Sequence, residues 1–156
     1  MKIKFSFLNY FFQFIFYKLE WTEGIDSLLP NGKHILLWDF DNCNLETVKT
    51  SLREIQDKYN LPTIHIYADN KENSFRASCP KQVDFKQLLR IMLDTENVHL
   101  NYIAWTMLKR YATMRIGKKN GRKDVELVDV LINLNNHNII DYPKEMNFDK
   151  YKVIAE

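Results

Sequence analysis

A chain of 156 residues with a net charge of +2 is one domain's worth of material, and so small a charge excludes neither nucleic acid nor protein as a partner. Four glycines, four prolines and 13% aromatic residues exclude a disordered or low-complexity chain. Two cysteines, Cys43 and Cys79, lack both metal-site spacing and the density of a disulfide scaffold, and read as reduced thiols of a cytoplasmic protein.

Residues 2–19, KIKFSFLNYFFQFIFYKL, are aromatic or aliphatic at most positions. No small-residue cleavage site follows, so a signal peptide does not fit. A membrane span needs about 20 apolar residues, and Asn9 and Gln13 interrupt the run. Residues 1–20 are expected to be a helix or extension docked on the domain, with a peripheral membrane or protein contact as the alternative. Residues 21–156 are expected to be a single α+β domain, with Trp21 to Pro30 as a linker into it.

The stretch from His34 to Cys43 is an apolar run ending in two aspartates one residue apart. In a strand, alternate side chains share a face, so Asp39 and Asp41 project together while Trp38 and Phe40 face the other way. Two carboxylates side by side repel unless a cation or base lies between them. The expected solution is Mg2+ or Mn2+, held by Asp39 and Asp41.

Leu45, Val48, Leu52, Ile55 and Tyr59 recur at helical spacing, with Asn44 as the N-cap and Asn60-Leu61-Pro62 as the stop. Thr63–Ala68 reads as a second strand, and Ser74–Cys79 as a third that pairs back on it in a hairpin. Val83 to Leu93 is predicted to be helical through Phe85, Leu88, Leu89 and Met92. Val98 to Trp105 and Tyr111 to Ile116 read as strands. Val125 to Leu134 fits strand or helix, Asn133 to Asn138 is turn material, and Tyr151 to Ala155 suits a last short strand. The order β-α-β-β-α-β-β predicts a mostly antiparallel sheet with two helices on one face, a ferredoxin-like or RRM-like core.

Basic residues concentrate between Lys109 and Lys123, with no acid among them. Arg115 lies within a predicted strand, where a guanidinium suits bidentate phosphate contact. Lys118, Lys119 and Arg122 lie on a loop bracketed by Gly117 and Gly121, and Trp105 and Tyr111 offer surfaces for base stacking. Arg76, on the hairpin strand, is expected to face the carboxylates or a phosphate held by them. His99 is a candidate third ligand or proton carrier.

With these residues in place, the chain from Lys33 to about Lys123 resembles the catalytic core of the archaeo-eukaryotic primase and primase-polymerase superfamily. That family's first motif is an apolar strand ending in Asp-x-Asp, matched by Asp39 and Asp41. The second is a small polar residue and a histidine on the hairpin strand, where this chain has Ser74-Phe75-Arg76. The third is an apolar residue and an aspartate after the second helix, where this chain has Val98-His99. Later basic residues, matched by Arg115 and Lys118, would contact nucleotide or template phosphates. The resemblance implies a metal-dependent nucleotidyltransferase of a replication protein, of the kind expected in phages or plasmids. Its catalytic set would be Asp39, Asp41, His99 and Arg76, and its phosphate-binding set Ser74, Arg115, Lys118, Lys119 and Arg122. With the third acid replaced by His99, the two-metal arrangement is incomplete, and a nucleic-acid-binding module without turnover is the alternative. The stretch Trp38 to Cys43 also resembles the opening strand of NYN ribonucleases, relatives of PIN nucleases. That likeness implies a parallel sheet and a site of Asp39, Asn42, Asp69 and either Asp124 or Asp129.

Overall fold

The computed structural model describes residues 2–7, 10–15, 19–69, 72–117, 124–133 and 148–154, with side chains placed over 22–69, 72–117 and 124–133. Among these residues it is an α+β protein in which helices pack on an antiparallel sheet, broadly of the ferredoxin-like kind. The central sheet has four strands, β4 (His34–Asp41), β5 (Ile64–Ala68), β6 (Ser74–Val83) and β8 (Glu126–Leu131), in the order β4-β6-β5-β8. Helices α1 (Leu45–Tyr59), α2 (Phe85–Asp94) and α3 (Leu100–Lys109) cover one face of it. A second sheet, in the order β7-β3-β9, joins β7 (Thr113–Arg115), β3 (Leu19–Asp26) and β9 (Phe148–Ile154). The remaining strands, β1 (Lys2–Phe7) and β2 (Tyr10–Ile15), pair with each other.

Strand β4 explains why its sequence is apolar without alternation. Leu36, Trp38 and Phe40 pack under the helices against Val48, Leu52, Ile91 and Met92. Ile35 and Leu37 point the opposite way, into a second core with Ile25, Ala112 and Met114 from the β3–β7 side. A strand buried on both faces needs apolar residues at odd and even positions. Each fully buried Leu or Ile contributes about 2 kcal/mol of transfer free energy. Trp38 can be fully buried because its indole N–H donates to Thr95 Oγ1 at 3.1 Å.

The expected hairpin forms, and β6 lies between β4 and β5, antiparallel to both. Pro80 falls where the β4–β6 register shifts between His34 and Leu36, so its missing N–H interrupts no regular ladder. Helix α1 starts and stops where the spacing predicts. Asn44 accepts from Thr47 N at 2.8 Å, and Asn60 takes a left-handed conformation at φ 45°.

Three expectations are corrected. Val98 to Trp105 is not a strand; its residues lead into α3, so three helices rather than two cover the face. The apolar run continues through Thr106-Met107-Leu108-Lys109, longer than a typical strand and rich in helix formers. His99 starts it without a side-chain cap, so the usual N-cap signal is absent. Residues 2–7 and 10–15 form two strands, so of the helix or extension expected over residues 1–20 the helix is not adopted there: Lys2-Ile3-Lys4-Phe5-Ser6-Phe7 alternates with period two, and Phe5 pairs with Phe12. Trp21 to Pro30 is not a linker, because most of it belongs to β3, which begins at Leu19 and pairs with β7 and β9. The 20/21 boundary thus falls inside a strand. Among the described residues no helix is long and apolar enough to cross a membrane.

Candidate metal centre

The β4–β6 register builds the site. Asp39 lies opposite Arg76, and Asp41 opposite Ser74. Directly opposed residues share a face, so both carboxylates receive a partner from β6. Ser74 Oγ donates to Asp41 Oδ1 at 2.9 Å, and Arg76 Nε lies 3.3 Å from Asp39 Oδ1. Asp39 Oδ1 is sealed from solvent while the side chain as a whole keeps some exposure, so of its two oxygens Oδ2 is the one a ligand can approach.

The third member arrives from across the outer edge of β4. Its edge position in the sheet leaves Asp39 O without a strand partner on that side, and His99 N donates to it at 2.9 Å. This one backbone bond docks the start of α3 beside the aspartates. Asp39, Asp41 and His99 then each offer a ligand atom, all within 4.8 Å of one another. Around an octahedral ion with bonds of about 2.1 Å, donors lie about 3 to 4.2 Å apart, so small side-chain rotations close this set on a cation. Two carboxylates suit Mn2+ and Mg2+ alike, and the imidazole, a poor ligand for the hard Mg2+ ion, favours Mn2+ of the two.

Burial raises the Asp39 carboxyl above its ordinary value; Arg76 opposes the rise, Asp41 adds to it, and His99 and Arg115 oppose it. A carboxylate so placed gains from a neighbouring cation. Asp41 and His99 line a cleft of about 550 Å3 together with Asn42, Cys43, Asn97 and the start of α3, within the size range of small-molecule sites. Burial and Asp41 raise the Cys43 thiol, and burial pushes Cys79 up to about 12, so with no metal present both rest as protonated thiols at neutral pH.

Arg76 and Arg115 are brought to the site, but not with open donors facing solvent. Arg76 Nη2 donates to Asp69 Oδ2 at 2.8 Å, and Arg115 Nη2 is ion-paired with Asp69 Oδ1. Arg115, expected to reach phosphate, has a side chain only 5% exposed. Lys118, Lys119 and Arg122 lie outside the described residues. Asp69 enters the sequence reading only through the ribonuclease likeness, yet it joins both arginines. Strand alternation from His65 and Tyr67 puts it on their face, and the missing information was which strand lies beside it. Of the other residues implied by that likeness, Asn42 lines the cleft, Asp124 is exposed, and Asp129 pairs with Lys49 of α1 at 2.9 Å. The parallel sheet it implies does not form among the described residues, whose ladders are antiparallel.

Comparison with family models, with curated proteins and with solved structures gives no match for this chain.

Proposed function

We propose that Asp39, Asp41 and His99 hold a divalent cation, Mn2+ or Mg2+, that engages the phosphates of a nucleotide or nucleic acid. On this reading the protein is a divergent primase-polymerase-like domain of a replication protein, working in the cytoplasm. The observation that carries it is the convergence of His99 on an Asp-x-Asp strand end at the mouth of an open cleft. A bound cation would polarise phosphoryl oxygens and neutralise their charge. The chain's own residues orient the ligands: Ser74 holds Asp41, Arg76 holds Asp39, and the Asp39 carbonyl fixes the start of α3.

A second reading, nucleic-acid binding without turnover, is favoured by one feature. The position of the third acid in the primase-like pattern is His99, so the ligand set offers two carboxylates and fits one ion more readily than two. Primer synthesis from nucleoside triphosphates in Mn2+ discriminates between the readings. Synthesis abolished by Asp39→Ala in a folded protein supports the enzyme. Single-strand binding that survives Asp39→Ala, with no synthesis by the parent chain, supports the binding module. Metal-dependent cleavage of single-stranded RNA would favour the NYN-like ribonuclease instead.

A further inference from the structure

Four side chains form a row of alternating charge through the protein. Asp39 on β4 meets Arg76 on β6, Arg76 meets Asp69 at the end of β5, and Asp69 meets Arg115 on β7. Their side chains are 19%, 12%, 4% and 5% exposed in that order. Asp69 is nearly sealed, with one oxygen for each guanidinium. The row ties the central sheet to the β7 strand of the second sheet, and its formal charges cancel. Low surrounding dielectric makes each pairing strongly dependent on the next.

Arg76 supports Asp39 and also competes for it. Drawn back by Asp69, its guanidinium orients Asp39 through Oδ1 and leaves Oδ2 reachable. Without Asp69, its only carboxylate partner among the described residues is Asp39, and the pair would close at the expense of a cation. Arg115 acts with the opposite sign. By sharing Asp69, it limits how far that carboxylate pulls Arg76 away from Asp39.

We propose that Asp69 and Arg115 are positioning residues of the cation site, setting how much of the Arg76 charge falls on Asp39 and thereby how tightly a divalent cation binds. The proposal rests on the reading of Asp39, Asp41 and His99 as cation ligands.

The test is Mn2+ binding to the full chain by calorimetric titration, with circular dichroism as the check on folding. Asp69→Asn is expected to weaken binding about tenfold to a hundredfold, the range for lost outer-shell partners. Arg115→Met is expected to bind Mn2+ more tightly than the parent chain. Opposite signs are the signature, because a purely structural role weakens binding in both. Equal weakening in both, or no change in either, overturns the proposal. If a single variant does not fold, the double variant Asp69→Asn/Arg115→Met removes the pair without leaving a lone charge. It is expected to weaken binding as Asp69→Asn does, and unchanged affinity overturns the proposal. A parent chain that binds no Mn2+ refutes the ligand reading and this proposal with it. Binding by the parent chain with unresponsive variants refutes this proposal alone.

Discussion

Arg76 stands directly across the β4–β6 ladder from Asp39, with Nε 3.3 Å from Oδ1, while its Nη2 reaches Asp69 at 2.8 Å. One guanidinium therefore compensates parts of two largely buried carboxylates. Arg76→Met leaves both without it. The expected cost is about 3 to 5 kcal/mol of stability, the range for breaking one side of a buried ion pair. Mn2+ is expected to restore part of that loss by supplying charge at Asp39. Thermal unfolding with and without Mn2+ checks both statements, and an unchanged melting temperature in the metal-free variant would contradict the first.

Ser74 gives a gentler probe of the same site. Ser74→Ala removes the 2.9 Å bond that orients Asp41. Stability is expected to fall by about 1 kcal/mol, while Mn2+ affinity falls about tenfold. Affinity indistinguishable from the parent chain would show that Asp41 needs no orientation from β6.

His34 sets part of the acid response of the fold. Its ring is buried, bonded to Ser27 at 3.0 Å and packed near Phe85. Burial lowers its pKa below 6.5, Arg110 lowers it further, and Asp84 opposes them. The unfolded chain thus takes up a proton that the folded ring resists. This contribution to stability is whole above about pH 6.5 and is lost as pH falls through the depressed folded value. Denaturant unfolding across pH 5 to 8 is expected to show this slope, and His34→Gln is expected to flatten it.

Trp105 tests the nucleic-acid reading away from the cation. It lies on α3, 60% exposed, in the turn that leads to Lys109 and Arg110. Trp105→Ala is expected to leave the melting temperature nearly unchanged and to weaken single-strand binding by about 1 to 3 kcal/mol, the loss of one stacked base. Fluorescence anisotropy with a labelled oligonucleotide reads the change. Equal binding by both proteins would remove Trp105 from the interface.

Local pattern was enough for much of the framework. The unbroken apolar run Ile35–Trp38, the spacing from Leu45 to Tyr59 with its Asn44 and Asn60 ends, and the polar break before Ser74 place β4, α1 and the hairpin. Each depends on neighbours within a few residues. Asp39 and Asp41 share a face by strand geometry alone. The stretch after Val98 misled because its apolar residues fit two periods and His99 gives no cap signal.

Pairing over long sequence distances decided the rest. Arg76 meets Asp39 because β6 inserts between β4 and β5, and Ser74 meets Asp41 through the same register. His99 reaches the carboxylates by a backbone bond across 60 residues, and Arg115 leaves solvent because β7 carries it to Asp69. Sequence alone determined that two acids would stand together and need a counter-charge. Tertiary structure decided which groups supply it, because sheet order and strand register depend on how all the apolar faces are buried together.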